Sequence, residues 1–132
     1  MTEIVTRFHE AMLHKSADEL ADLYAEDGVH EFPFLMPGMA ERYNGREEIR
    51  AGYKASWGAT PASVEEIRNV VIHQSTDPEV LVVEHETAVT VYGRPYTVPG
   101  LLVLRVRDGQ IIHTRDYMDA TAVAGLRSGR TE

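Results

Sequence analysis

The sequence predicts an α+β fold: three N-terminal helices packed on the concave face of a curved, mostly antiparallel sheet, forming a cone-shaped α+β barrel. Two patterns carry this expectation. Apolar residues recur at helical spacing around residues 4–24 and 49–57, and residues 64–119 alternate in long runs broken by turn signals. The order of these segments is helix, helix, strand, helix and four meandering strands. That order segregates helices from one sheet. A length of 132 residues suits a single domain over residues 1–126 with a flexible tail at 127–132.

Each element has its own local justification. Ile4, Val5, Phe8, Met12 and Leu13 share one face of a first helix, with Thr2 as its cap. Ser16 followed by Glu19 is a capping box that opens a second helix. Leu20, Leu23 and Tyr24 give that helix its apolar stripe, and Asp27-Gly28 is expected to end it. Residues 29–34 read as a strand held at an edge by Pro33, followed by a loop through Pro37, Gly38 and Asn44-Gly45. Ile49, Tyr53 and Trp57, four apart, define a third helix from Arg46, stopped by Gly58 and Pro61. Strands follow at 64–73, 80–92, 96–107 and 111–119. Their turns are Thr76-Asp77-Pro78, Gly93-Arg94-Pro95 and Asp108-Gly109. A short helix is expected at 120–126.

Composition narrows the function classes. Hydrophobic residues make up 43% and charged residues 26%, as in ordinary globular domains. A net charge of −8 disfavours nucleic acid and anionic membrane surfaces as partners. With no cysteine, thiolate chemistry and cysteine-ligated metal sites are excluded. The apolar runs are too short to cross a bilayer, and the N-terminus lacks the pattern of a secretion signal, so a cytoplasmic protein is expected.

Strand register decides which side chains meet inside the cone. On residues 80–92 the face with Leu81, Val83, His85, Thr87, Val89 and Val91 is the more apolar and is assigned inward. On residues 111–119 the long polar side chains of His113, Arg115 and Tyr117 favour solvent or a partner subunit. That choice sends Ile112, Thr114, Asp116 and Met118 inward. The opposite register would make Glu31, Glu86, Tyr117 and Asp119 the pocket set.

No metal site is expected. His9 and His14 are five apart, about 140° around a helix, and cannot share one ion as a four-residue spacing would allow. His30-Glu31 and His85-Glu86 have no second histidine at ligand spacing. Phosphate-binding glycine loops, dinucleotide fingerprints and the nucleophile elbow are also absent, so no cofactor is expected.

Three segments carry a family resemblance: Tyr24-Ala25-Glu26-Asp27-Gly28-Val29, Tyr43-Asn44-Gly45-Arg46-Glu47-Glu48-Ile49, and the run from Asp108 to Asp119 through Arg115-Asp116-Tyr117. Together they resemble the nuclear-transport-factor-two-like superfamily, and within it the SnoaL-like proteins. Its members include ketosteroid isomerases, polyketide cyclases and limonene-epoxide hydrolases. The last segment is most similar to the epoxide hydrolases, whose cavity-facing catalytic Asp corresponds to Asp116. The positions of their other catalytic groups are occupied here by His85, Val83, His30 and Phe32, none of which matches.

The resemblance and the residues imply a small enzyme, an isomerase, cyclase or hydrolase, that moves protons on an apolar, cyclic molecule. Asp116 and His85 are the expected acid/base pair, with His30 as a third member. Phe32, Phe34, Met36, Tyr53, Trp57, Val98, Leu102 and Met118 are the expected lining. The alternative is a non-catalytic ligand-binding or interaction protein on the same fold. The resemblance also implies a homodimer through the outer sheet face, where Glu84, Glu86, Thr90, Tyr92, Arg115 and Tyr117 would lie.

Overall fold

The first helix, α1 (Thr2–His14), buries Ile4, Val5, Phe8 and Ala11 on one face. In the computed structural model, which describes residues 2–34, 38–119 and 121–123, that face packs into a core shared with all three helices and the sheet. Ser16 caps α2 (Ala17–Ala21) as expected, its side chain accepting from the Glu19 N–H at 3.1 Å. α3 (Arg46–Ala59) buries Ile49 and Tyr53, with Trp57 half-buried on the same stripe.

α2 is shorter than its apolar pattern suggests. It ends at Ala21, and Tyr24 instead opens β1 (Tyr24–Glu31). The Asp27-Gly28 pair lies in an irregular stretch of that strand. Between Tyr24 and Val29 the chain advances five residues while its neighbour advances only two, from Ile111 to His113. Helical periodicity and a bulged strand look alike over so short a span. β1 stops at Glu31, and a short β2 (Arg42–Asn44) inside the expected loop pairs with it.

The remaining strands are β3 (Ser63–Gln74), β4 (Val80–Val91), β5 (Arg94–Arg107) and β6 (Gln110–Met118). They form the expected antiparallel meander. Asp108 and Gly109 both have positive φ at the β5–β6 turn, and Tyr92 and Gly93 do the same between β4 and β5. The second turn therefore comes earlier than Gly93-Arg94-Pro95, and Pro95 pairs with Thr90 inside the ladder.

The single sheet has the order β2-β1-β6-β5-β4-β3. β1 lies parallel to β6, so the first and last long strands of the chain are neighbours. The sheet is curved and not closed, consistent with the cone-shaped α+β barrel. Its inner face carries Leu81, Val83, His85, Leu102 and Leu104, all buried. Ile111, not Ile112, is the buried residue at the start of β6. A register shift between Arg105 and Val106 breaks strict alternation there, and Thr114 and Asp116 still point inward. Of the final helix, residues 121–123 are helical, and the rest of it and the tail lie outside the described residues. Among the described residues no helix is long and apolar enough to cross a membrane.

Candidate functional site

Three elements place polar side chains at one spot inside the cone. β1 presents His30, which pairs in register with Thr114 on β6. Asp116 follows two residues on and shares Thr114's face. Tyr53 comes down from the buried stripe of α3, and Tyr24 from the start of β1.

Their hydrogen bonds form one chain. His30 Nε2 lies 3.0 Å from Asp116 Oδ2 and 2.9 Å from the Tyr53 hydroxyl. Tyr53 donates to the same Asp116 oxygen at 3.3 Å. On the other side of the ring, His30 Nδ1 is 2.6 Å from the Tyr24 hydroxyl, which is 2.7 Å from Thr114 Oγ1. One assignment satisfies every proton with a neutral imidazole. Thr114 donates to Tyr24, Tyr24 donates to Nδ1, and Nε2–H donates to the carboxylate. Burial pushes both tyrosine hydroxyls well above their ordinary range, so they remain protonated donors.

His30 is fully buried, while the Asp116 side chain keeps 15% of its surface open. Phe32 and Tyr53 stand with ring centroids 4.9 and 5.1 Å from His30, and Phe8 stacks at 6.5 Å. These rings exclude water from the dyad's anchored side and leave the carboxylate as its exposed end.

The structure thus brings Asp116 to His30, whereas the sequence reading paired it with His85. Sheet order supplies the reason: β1 is β6's direct neighbour, while β4 is separated from β6 by β5. His85 does face inward and is buried, and Asp116's charge acts on it. Its hydrogen bond goes to His9 of α1, with Nδ1 3.0 Å from His9 Nε2.

Most of the expected lining lies on the inner side. Phe32 and Leu102 are buried, and Leu102 stands directly across from Asp116. Tyr53 is part of the network itself. Trp57 and Met118 are half-buried against the core, and Val98 pairs in register with inward Thr87. Phe34 does not line the interior. It is 60% exposed and packs edge-on against Tyr117 over the outer face, because β1 has ended and the chain turns at Pro33. Met36 lies outside the described residues. The opposite-register set also falls outside the pocket: Glu31 bonds His113, Glu86 bonds Asn69, and Tyr117 and Asp119 border a groove on the outer face.

Sequence reasoning missed Tyr24, His9 and Thr114 as members of these networks. Thr114 shares Asp116's face at a spacing of two, a usable signal. Tyr24 was hidden by its place on an apparent helical stripe. His9 stands next to a core residue, Phe8, on α1, and nothing local marks its partner.

The buried His9–His85 pair makes stability depend on pH. Burial holds His85 below its ordinary value, and burial, reinforced by His85, holds His9 at about 4 rather than 6.5. Between those values the unfolded chain binds more protons, so stability rises with pH there. It is fully present above 6.5 and lost as pH falls toward about 4. Glu79, depressed from 4.5 to about 2 by Arg107 and Arg105, contributes a separate loss at lower pH. Urea unfolding is therefore expected to show a falling midpoint between about pH 7 and 4.5, before the carboxylate transition begins. A flat midpoint across that range would contradict neutral burial of the pair.

Comparison with known proteins agrees with this architecture. A Pseudomonas aeruginosa relative, an uncharacterised PhzA/B-like protein, is 32% identical over 102 residues, spanning 73% of this chain and 67% of that one. A Bacillus subtilis crystal structure, named as a candidate isomerase, superposes with a TM-score of 0.87 at 25% identity, covering 98% of this chain and 93% of the other. A Catenulispora acidiphila protein with a ketosteroid isomerase-like fold, solved in complex with trimethylamine, gives a TM-score of 0.70 at 26% identity, covering 98% of each chain. The SnoaL-like domain family matches residues 5–114, most of the cone with its helices and sheet, and the chain belongs to that family.

Proposed function

We propose that the protein is an isomerase- or cyclase-type enzyme that transfers a proton on an apolar, cyclic carbonyl compound, with Asp116 as the base and His30 as its anchor. One observation carries this reading. Among the described residues, both hydrogen bonds to the Asp116 carboxylate fall on Oδ2, from His30 and Tyr53. Oδ1 is then free to meet a substrate proton on the side chain's open edge. Leu102 stands across from Asp116, Met118 follows it by two residues on β6, and Trp57 packs against Tyr53, apolar neighbours that suit a ring-containing molecule.

The step balances within the substrate. Asp116 takes a proton from a carbon next to the carbonyl and the electron pair moves onto the carbonyl oxygen; as the carbonyl re-forms, the protonated Asp116, its proton exchangeable with solvent, returns a proton to that carbon or to one conjugated with it. No oxidant or second substrate is required. The Bacillus subtilis neighbour named as a candidate isomerase supports an isomerase-type role, and the trimethylamine complex on the same fold supports small-molecule binding.

Solvent exchange tests the proposal. Incubating the protein in deuterated buffer with a panel of cyclic ketones is expected to place deuterium at enolisable positions of at least one compound, read by mass spectrometry. Uptake no faster than in buffer, for compounds shown to bind, would overturn it.

We also assign the outer sheet face to a second copy of the chain. Phe34 and Tyr117 there border a groove of about 290 Å³ with Leu101 and Pro99, next to charged Glu84 and Asp119. Such a mixed surface suits an isologous contact. Sedimentation at micromolar concentration is expected to show a dimer, and a monomer would remove this assignment.

A further inference from the structure

The His9–His85 pair is buried beside the proposed site and takes no part in the step above. His85 stands on β4 directly across from Gly100 of β5. A Cβ at Gly100 would lie 2.9 Å from His85 Nε2 and 3.3 Å from Cδ2. The imidazole therefore occupies the space that a side chain at 100 would fill, and Nε2 leads in the direction of β5. Beyond β5 lies β6 with Asp116, whose charge His85 experiences. The ring's other nitrogen is held from α1, where His9 Nε2 lies 3.0 Å away and the two rings meet edge to face at 67°.

One hydrogen bond between two imidazoles contains one proton, and its side of origin sets the whole tautomer of His85. If His85 donates, its Nε2 presents a bare lone pair on the side of β5 and β6, where the Asp116 charge reaches it, which is repulsive. If His9 donates, His85 carries its proton on Nε2 and directs an N–H dipole toward that carboxylate, which is attractive.

We propose that His9 is a positioning residue that fixes His85 in the Nε2–H form, so that His85 offers a neutral N–H donor to a substrate oxygen over Gly100. This rests on the proton-transfer reading of Asp116. A donor there would receive charge developing on the carbonyl oxygen as Asp116 removes the proton. Neutrality matters, because an imidazolium so placed would engage the carboxylate and blunt it as a base. Among the described residues, the titratable groups that act on His85 are His9, hydrogen-bonded to it from α1, and Asp116, whose charge reaches it from β6. Burial keeps both imidazoles neutral near pH 7.

The test is nitrogen-15 NMR of the full chain near pH 7, without substrate. It should show a proton on His85 Nε2, none on Nδ1, and a coupling across the hydrogen bond to protonated His9 Nε2. A proton on His85 Nδ1, or no coupling between the rings, would overturn the proposal. His9→Phe keeps a ring but removes the donor, and should release His85 into a mixture of both tautomers. His9→Gln, whose amide can donate to Nδ1, should restore the single form. An unchanged His85 tautomer in His9→Phe would remove the positioning role, and the wild-type spectrum decides the matter if that variant does not fold. None of these readouts needs turnover. A negative exchange experiment with a positive spectrum would therefore remove the acid/base reading alone.

Discussion

The Asp116→Asn variant is expected to lose about 10²–10⁴ in the rate of solvent deuterium uptake, the usual contribution of a positioned general base. Asn has nearly the shape of Asp. Its carbonyl oxygen can accept the same bonds from His30 Nε2 and the Tyr53 hydroxyl that reach Oδ2 at 3.0 and 3.3 Å. The fold and the lining should survive, while the group at the open edge becomes an amide with almost no basicity. The loss corresponds to about 3–5 kcal/mol of barrier. Exchange rates for wild type and variant, alongside thermal melts that confirm folding, measure it directly. A variant rate within about a factor of ten of wild type would assign proton transfer to some other group.

Tyr24→Phe should have the largest effect on stability. The Tyr24 hydroxyl is fully buried and satisfies two other fully buried polar groups, His30 Nδ1 and Thr114 Oγ1. Phe fills the same space and supplies neither bond. Each orphaned group costs about 1–3 kcal/mol, so the total is about 2–6 kcal/mol. Adding Thr114→Val removes one orphan along with its partner. The double variant should therefore be more stable than the two single losses added together. Urea unfolding of the four proteins in this cycle gives the coupling, and additive losses would mean that the hydroxyls act independently.

The helices and the meander were legible because each follows from local periodicity and turn chemistry. Ile49, Tyr53 and Trp57 announce α3, and Asp108-Gly109 announces the last hairpin. The inward course of Asp116 was legible from the outward preference of Arg115 and Tyr117. What it meets was not. No local signal says that β1 inserts parallel between β2 and β6, yet that insertion makes His30 rather than His85 the neighbour of Asp116. The boundary at Tyr24 and the shift at Ile112 failed for a related reason. Both are breaks in strand register: β1 carries three more residues than β6 between Tyr24 and Val29, and β6 carries one more than β5 between Ile111 and His113, which reverses what alternation predicts there. Phe34 was placed inside on hydrophobicity alone, whereas the turn at Pro33 carries it onto the other side of the sheet.

The parallel contact between β1 and β6 also sets when the site comes into being. His30 and Asp116 are 86 residues apart, so a ribosome completes His30 well before it adds the carboxylate. The hairpins of the meander close through short loops, whereas the dyad must close a separation of 86 residues and carries the larger entropic cost. A partly folded chain can hold its strands and core clusters and still have no paired Asp116. The anchored carboxylate appears only when the two ends of the fold meet, which ties proton-transfer competence to completion of the structure.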